Sequence, residues 1–508
     1  MEQPLTAAEL MERLRGPDGS LSLESAERIG FVSPGPSISA TDPFFSYDRP
    51  EAHGVHVEQV LVPLRDGSHL SGELHRPANA DGTPAAGRFP GIVYEFNGYD
   101  AVPLFAAGVK PFVTRGYVAL VCNVRGTGGS PGVIDPFGPQ EQRDNVDLIE
   151  WLAEQPYSTG KIGQMGVSYG GHTTLLAAVN RPPHLTAVIA VQAISDWYEN
   201  TIYRGGIPNA KIHEWQRSTA PDTLETYPRH PLYDDYWRER SVKARWDQLQ
   251  VPVLDVGGWL DPYRAAMVEN FRARQDSVWM VAGPWAHGMV PGRLEDIGSA
   301  AYLAWWDHWL SDLPGALPEA KVTSYEMPAE GWRLYSIWPP AESRTTSFSL
   351  SAAGELLSST EPATPAGTST FDVGTGQLGF ETRPLDTDEV ITGGIEATVR
   401  ASFTAADGAI AVVLEDVAPD GTAERVANGW LRASHRRGSE ELAAVAPYAD
   451  YPLVIMLWPI HHRVRAGHRL KATVSSRDYP LIENDAPDGT VTVWLGEGGS
   501  TLRYQALP

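Results

Sequence analysis

Residues 161–172, Lys-Ile-Gly-Gln-Met-Gly-Val-Ser-Tyr-Gly-Gly-His, enclose a G-x-S-x-G pattern with Ser168 between Gly166 and Gly170. An apolar run enters the serine and a helical pattern leaves it. A serine on so sharp a strand-to-helix turn needs small neighbours, and the turn exposes its Oγ as a nucleophile. The helix that follows aims its N-terminus at the reacting centre. Such a hydroxyl requires a base, and the base an orienting acid. Where a serine sits on an elbow of this kind, the acid and then a histidine follow it along the chain. Residues 251–263 run Val-Pro-Val-Leu-Asp-Val-Gly-Gly-Trp-Leu-Asp-Pro-Tyr, placing Asp261 beyond an apolar run and a Gly-Gly turn. Asp255 is the rival acid, inside the run. Residues 278–288, Val-Trp-Met-Val-Ala-Gly-Pro-Trp-Ala-His-Gly, then place His287 in a Gly/Pro-rich loop.

Attack on an acyl carbon creates an oxyanion, which needs hydrogen-bond donors. The backbone N–H of Tyr169, directly after the serine, is one. A second should come from a loop after an early strand, here Glu95-Phe96-Asn97-Gly98-Tyr99-Asp100. That loop is not glycine-rich, so a side chain is needed, and the phenol of Tyr99 is the candidate. By residue type alone, Tyr99 reads first as a packed loop aromatic. Trp197, Tyr198 and Trp215 are candidates to wall a substrate pocket, with core packing as the plainer reading of each, and Trp259 is a further substrate-binding candidate. Glu199, Glu214, Asp222 and Glu225 are acids that could hold a substrate ammonium, and read more simply as surface charges. His172 is expected to pack on its helix. His461, His462 and His468 are expected at the surface, with no carboxylate or cysteine spaced for a metal. No metal and no cofactor is called for.

The elements that must position these groups follow from the pattern. Apolar runs at 57–63, 70–75, 91–94, 117–123, 161–167, 187–191, 251–256 and 278–282 alternate, after an initial hairpin at Asp66–Gly67, with helical stretches at 142–153 and 169–179. Short apolar strands interleaved with helices imply a mostly parallel sheet covered on both faces. A helix at 298–310 is expected to close the domain. Residues 196–242, rich in Tyr, Trp and Arg, break the rhythm and read as an inserted helical cap. From about residue 338 only short alternating strands appear, at 346–350, 395–403, 409–417, 453–458, 468–475 and 490–495, which predicts a β-sandwich. The expected organisation is an N-terminal arm at 1–50, a catalytic domain at 51–195 and 243–325, the cap at 196–242 and the β-domain at 326–508. Within the arm, 6–15 suggests a short helix and 33–43 a surface loop.

With 63 Asp and Glu against 40 Lys and Arg, the chain carries a net charge of −23. That disfavours nucleic acid and anionic membrane as partners. The single cysteine, Cys122, reads as a small buried residue and excludes an intrachain disulfide. No apolar run is long enough to span a bilayer. The first sixteen residues lack the apolar segment of a secretory signal, so a cytoplasmic location is the default expectation. Self-association into a homo-oligomer is left open.

Residues 91–100, 115–130 (Arg-Gly-Tyr-Val-Ala-Leu-Val-Cys-Asn-Val-Arg-Gly-Thr-Gly-Gly-Ser), 135–138 (Asp-Pro-Phe-Gly), 150–156 (Glu-Trp-Leu-Ala-Glu-Gln-Pro), 283–288, 306–309 (Trp-Asp-His-Trp) and 467–470 (Gly-His-Arg-Leu), with the elbow itself, resemble the CocE/NonD hydrolase family. That family includes cocaine esterase, α-amino-acid ester hydrolases and X-Pro dipeptidyl-peptidases, and the resemblance covers about residues 50–505. It implies an α/β-hydrolase fold with an inserted helical cap and a C-terminal jelly-roll β-domain. It also implies a Ser168–His287–Asp261 triad and a phenolic oxyanion donor on Tyr99, reversing the plain reading of that residue. Two departures stand out: Asn123 occupies the first place of the family's D-V-R-G, and the cap is short. The expected activity is hydrolysis of a carboxylic ester of a small molecule through an acyl-enzyme. An amide or peptide hydrolase is the alternative, and acyl transfer by the same intermediate a third.

Overall fold

The structure is a computed structural model that describes residues 42–209, 212–287, 298–313, 317–328, 330–362, 364–478, 481–482 and 486–507. The expected helix at 6–15, nearly all of the loop at 33–43, and Gly288 lie outside these residues. The chain divides into two compact units. One holds the residues up to Ser195, Arg240–Tyr325 and Gly331–Ser336; the other holds Asp196–Glu239, Glu326–Glu330 and Ile337–Pro508.

The first unit is built on a ten-stranded sheet. Strands β1 (Gly54–Pro63) and β2 (His69–Ala78) form an antiparallel hairpin whose turn places Gly67 at φ 84°. There follow β3 (Phe89–Asn97), β4 (Val118–Asn123), β5 (Ser158–Val167), β6 (Leu185–Val191), β7 (Val253–Gly258), β8 (Val278–Gly283), β9 (Val322–Glu326) and β10 (Gly331–Tyr335). Their spatial order is β1-β2-β4-β3-β5-β6-β7-β8-β9-β10, with β4 to β9 paired in parallel. Every residue of β4 and β7 is buried, Cys122 included, as a parallel strand covered on both faces requires.

Glycines show where helices close on this sheet. A Cβ at Gly91, which pairs with Ile162, would lie 3.0 Å from Leu152 of the helix Pro139–Glu154. A Cβ at the next position of β5, Gly163, would lie 2.5 Å from the ring of Trp306 in the helix Gly298–Leu310. Successive strand positions point to opposite faces, so the two helices cover opposite sides. The helix Gly298–Leu310 does not end the sheet: β9 and β10 follow it and extend the edge beyond β8.

The second unit carries an antiparallel β-sandwich. In one sheet Leu356–Ser358, Arg344–Leu350, Thr501–Leu507, Glu389–Phe403, Thr490–Leu495 and Gly367–Asp372 lie side by side, with Tyr451–Val464 also paired to Glu389–Phe403. The other holds Gln377–Glu381, Arg469–Ser475, Ala409–Val417 and Ala423–Arg432. The inserted segment 196–239 belongs to this unit. It is tied to the sandwich by the Trp430 indole donating to the Arg204 carbonyl at 2.9 Å and by the Tyr233 amide donating to the Ser439 carbonyl at 2.8 Å. The Arg204 guanidinium lies 4.8 Å from the centre of the Trp458 ring, a cation–π distance.

Candidate active site

Ser168 stands between the end of β5 and the helix Tyr169–Asn180, with φ 57° and ψ −110°. A non-glycine residue there is strained, and the strain is held by its neighbours. Its N–H donates to the Val191 carbonyl at 2.9 Å, and its carbonyl accepts from His172 N–H at 3.0 Å. The flanking glycines are required by space. A Cβ at Gly166 would meet the Gly170 backbone at 2.4 Å, and one at Gly170 would meet the Glu95 carboxylate at 2.0 Å.

The Ser168 Oγ lies 2.9 Å from His287 Nε2, and His287 Nδ1 lies 2.8 Å from Asp261 Oδ2. The carboxylate can only accept from Nδ1–H, which leaves Nε2 as the acceptor of the serine hydroxyl proton. Asp261 is 1% exposed, while the His287 side chain is 33% exposed. The second Asp261 oxygen accepts from Tyr263 N–H at 2.6 Å, and the Tyr263 ring sets its edge against the imidazole at 4.9 Å. Asp255 takes no part in this line: it is fully buried and accepts from Asn270 at 2.9 Å. Burial pushes its carboxyl up to about 7.

The loop that carries His287 is held residue by residue. The Trp285 carbonyl accepts from Leu260 N–H at 3.1 Å, and the Ala286 carbonyl accepts from Gln192 Nε2 at 2.6 Å. Gln192 itself sits at φ 45°, directly after β6. Nothing in the residue types around it signals this role.

Tyr169 opens the helix after the serine, so its N–H stands at the positive end of the helix dipole. Its phenol, in contrast, points into the core and donates to Glu141 Oε2 at 2.5 Å. Glu141 also accepts from Phe137 N–H at 3.1 Å, and burial raises its carboxyl to about 8. Tyr99 lies two residues past the end of β3, half-buried, with its amide donating to Asn97 Oδ1 at 3.2 Å. Glu95, inside β3, is buried and likewise raised to about 8 by burial. Sequence reasoning passed over both glutamates; the signal for Glu95 is an acid within the apolar stretch Gly-Ile-Val-Tyr-Glu-Phe.

The remaining candidates are placed as follows. Trp259 is fully buried, its indole donating to Ser324 Oγ at 3.2 Å, so it is a packing residue with no face open to a ligand. Tyr198 is likewise fully buried and donates to the Pro231 carbonyl at 2.8 Å. Trp197 is buried, donates to the Tyr227 hydroxyl at 2.8 Å and meets the half-buried Trp215 edge-on at 5.4 Å. Glu214, Asp222 and Glu225 are exposed, and Glu199 accepts from Ser439 Oγ at 3.0 Å. His172 is buried in the core, between the carbonyls of Ile194 and Arg240. Burial pushes its pKa down to about 4, and the neutral ring has one N–H for the two carbonyls. His461 and His462 are buried rather than at the surface: as neighbours on Tyr451–Val464 they point to opposite faces, and both faces are covered there. Among the described residues, no three His, Cys, Asp or Glu are grouped as a metal site. No described helix is long and apolar enough to cross a membrane.

A parallel sheet bearing a strained serine elbow, joined to an antiparallel sandwich, defines an α/β-hydrolase of the CocE/NonD type. The chain superposes on a CocE/NonD family hydrolase from Staphylococcus aureus with a TM-score of 0.76 at 20% identity, covering 91% of this chain and 99% of that one. An aminopeptidase from a marine sediment archaeon, Thaumarchaeota archaeon, gives 0.75 at 20% identity, with 91% and 99% covered. Residues 66–220 and 208–289 match the X-Pro dipeptidyl-peptidase (S15 family), and residues 314–502 match the X-Pro dipeptidyl-peptidase C-terminal non-catalytic domain. The cocaine esterase of Rhodococcus sp. (strain MB1 Bresler) is 26% identical over 538 residues, covering 85% of this chain and 92% of that protein. The chain is a serine hydrolase, similar to the S15 family over residues 66–289 and to cocaine esterase over most of its length, and acts on ester or amide bonds.

Proposed function

We propose that the protein hydrolyses a carboxylic ester through an acyl-enzyme on Ser168. The observation that carries this reading is the hydrogen-bonded line Ser168–His287–Asp261 at the ends of three strands. Ser168 Oγ attacks the acyl carbon as His287 Nε2 takes the hydroxyl proton, and Asp261 holds the imidazolium. The oxyanion is met by the Tyr169 N–H and the Tyr99 hydroxyl. Collapse breaks the bond to the alkoxide, which leaves with the proton from His287. Water then attacks the acyl-enzyme, gives a proton to His287, and releases the acid as Ser168 recovers its hydrogen. These steps use side chains, one backbone amide and water.

The similarity to cocaine esterase across most of both chains supports an ester as the substrate. Peptide cleavage is the second reading, supported by the match of residues 66–289 to the X-Pro dipeptidyl-peptidase family. Transfer of the acyl group to an alcohol or amine would use the same intermediate. A panel of p-nitrophenyl esters and matched anilides with varied acyl groups, run against Ser168→Ala, separates the first two. Esters are expected to turn over faster for every acyl group; faster turnover of an anilide bearing a free α-amino group would reverse the order.

A further inference from the structure

A chain of buried side chains connects the serine elbow to the loop bearing Tyr99. Strands β3 and β5 pair only as far as Val93 and Gln164, and β3 has a register irregularity between Val93 and Glu95. Beyond it a side chain takes the place of the main-chain ladder: Val167 N–H donates to Glu95 Oε1 at 2.8 Å. Glu95 Oε2 accepts from Asn97 Nδ2 at 3.1 Å, and Asn97 Oδ1 accepts from Tyr99 N–H at 3.2 Å. On the far side of the loop, Asn123 Oδ1 accepts from Ala101 N–H at 2.7 Å while its Nδ2 donates to the Gly128 carbonyl at 2.9 Å. Glu95, Asn97 and Asn123 are each 1% exposed.

We propose that Glu95 and Asn97 are positioning residues that set the Tyr99 loop against the Ser168 elbow, so that the two halves of the oxyanion site are built at a fixed separation. The inference rests on the reading of Tyr99 as an oxyanion donor. The route runs from Val167, the residue before the nucleophile, to the amide of Tyr99 itself. It has little slack: a Cβ at Gly98 would fall 2.7 Å from the Tyr169 ring, and one at Gly170 would fall 2.0 Å from Glu95. Supporting contacts of this kind matter because an error of about 1 Å in a reacting group costs on the order of a hundredfold in rate. Asn123 completes the frame. The amide serves both contacts: a carboxylate at that position would accept from Ala101 but could not donate to Gly128.

A double-mutant cycle on the full-length protein tests the proposal, with Asn97→Ala and Tyr99→Phe measured singly and together on a p-nitrophenyl ester. Asn97→Ala is expected to lower kcat by about tenfold to a hundredfold with little change in KM. In the Tyr99→Phe background the same change should cost less than about threefold, because the group it positions is already gone. Asn97→Ser, which keeps a hydroxyl for the Tyr99 amide, should show a smaller loss with the same non-additivity, and stands in if Asn97→Ala does not fold. Losses that multiply in the double mutant overturn the proposal, as does an Asn97→Ala protein that loses thermal stability but keeps its kcat. If Tyr99→Phe alone leaves kcat unchanged, the donor reading has failed and the proposal falls with it.

Discussion

A histidine against an aspartate occurs in both units, and the two arrangements differ in what surrounds them. In the first, His287 bridges Asp261 and a serine hydroxyl, and the imidazole reaches solvent. In the second, Asp416 is shared by His462 at 3.1 Å and His468 at 2.7 Å, and both His462 and Asp416 are buried. Asp416 lies in Ala409–Val417 of the four-stranded sheet and His462 in Tyr451–Val464 of the other, so this cluster stitches the sandwich together. A carboxylate–imidazole contact is therefore not in itself a catalytic device. It becomes one where the second ring nitrogen faces a hydroxyl on a strained turn and a ligand can reach it. Buried on all sides, the same contact is a cross-link.

Changes on the two sides should separate rate from stability. Asp261→Asn is expected to lower kcat by about 10⁴, by favouring the wrong imidazole tautomer, with little effect on the unfolding transition. A loss under tenfold on a p-nitrophenyl ester would remove Asp261 from the line. Tyr99→Phe should cost about 10²–10³ in kcat, the worth of one oxyanion donor. Asp416→Ala should do the opposite, taking about 1–3 kcal/mol from stability by stranding the buried His462 imidazole and freeing the half-buried His468, while kcat of the folded protein stays within about twofold. Chemical denaturation and kcat measured on the same preparation decide this, and a large drop in kcat would erase the contrast.

The last expected effect is on pH. Burial raises the Glu95 and Glu141 carboxyls around the elbow from 4.5 to about 8. The folded state therefore holds two protons that the unfolded chain has released. Their contribution is full below about pH 4.5, declines as pH rises through the window to about 8, and is lost above it. Burial acts to raise Asp416 as well, but the hydrogen bonds from His462 and His468 hold it below its ordinary value. Its contribution is present above the ordinary carboxylate pKa and lost as pH falls through its own lower value. Glu141→Gln should flatten the decline between pH 5 and pH 8 in denaturation midpoints; an unchanged slope would contradict the burial of that carboxyl.

The hydrogen-bonded line of Ser168, His287 and Asp261 was legible because the chemistry proposed for it demands a given residue type at each strand end, and apolar runs mark those ends. The sheet was legible through β8 for the same reason. It was not legible beyond: β9 and β10 are five residues each and follow a helix that reads as a terminus. Ala423–Arg432 was hidden by Asn428-Gly429, which resembles a turn. Gly429 is needed there because a Cβ would come 2.4 Å from the Met456 carbonyl of the neighbouring strand. Glu95, Glu141 and Gln192 escaped because what they do depends on partners far along the chain. Tyr198 and Trp259 stood as candidates for a pocket wall beside core packing because an aromatic type does not reveal whether its face is covered.

Labelling with a fluorophosphonate, followed by mass mapping and ester turnover, tests the central claim most directly. A single adduct on Ser168 is expected, with stoichiometric loss of turnover, and Ser168→Ala should neither label nor turn over the ester. An adduct on another residue, or a Ser168→Ala protein as active as the parent, would contradict the account.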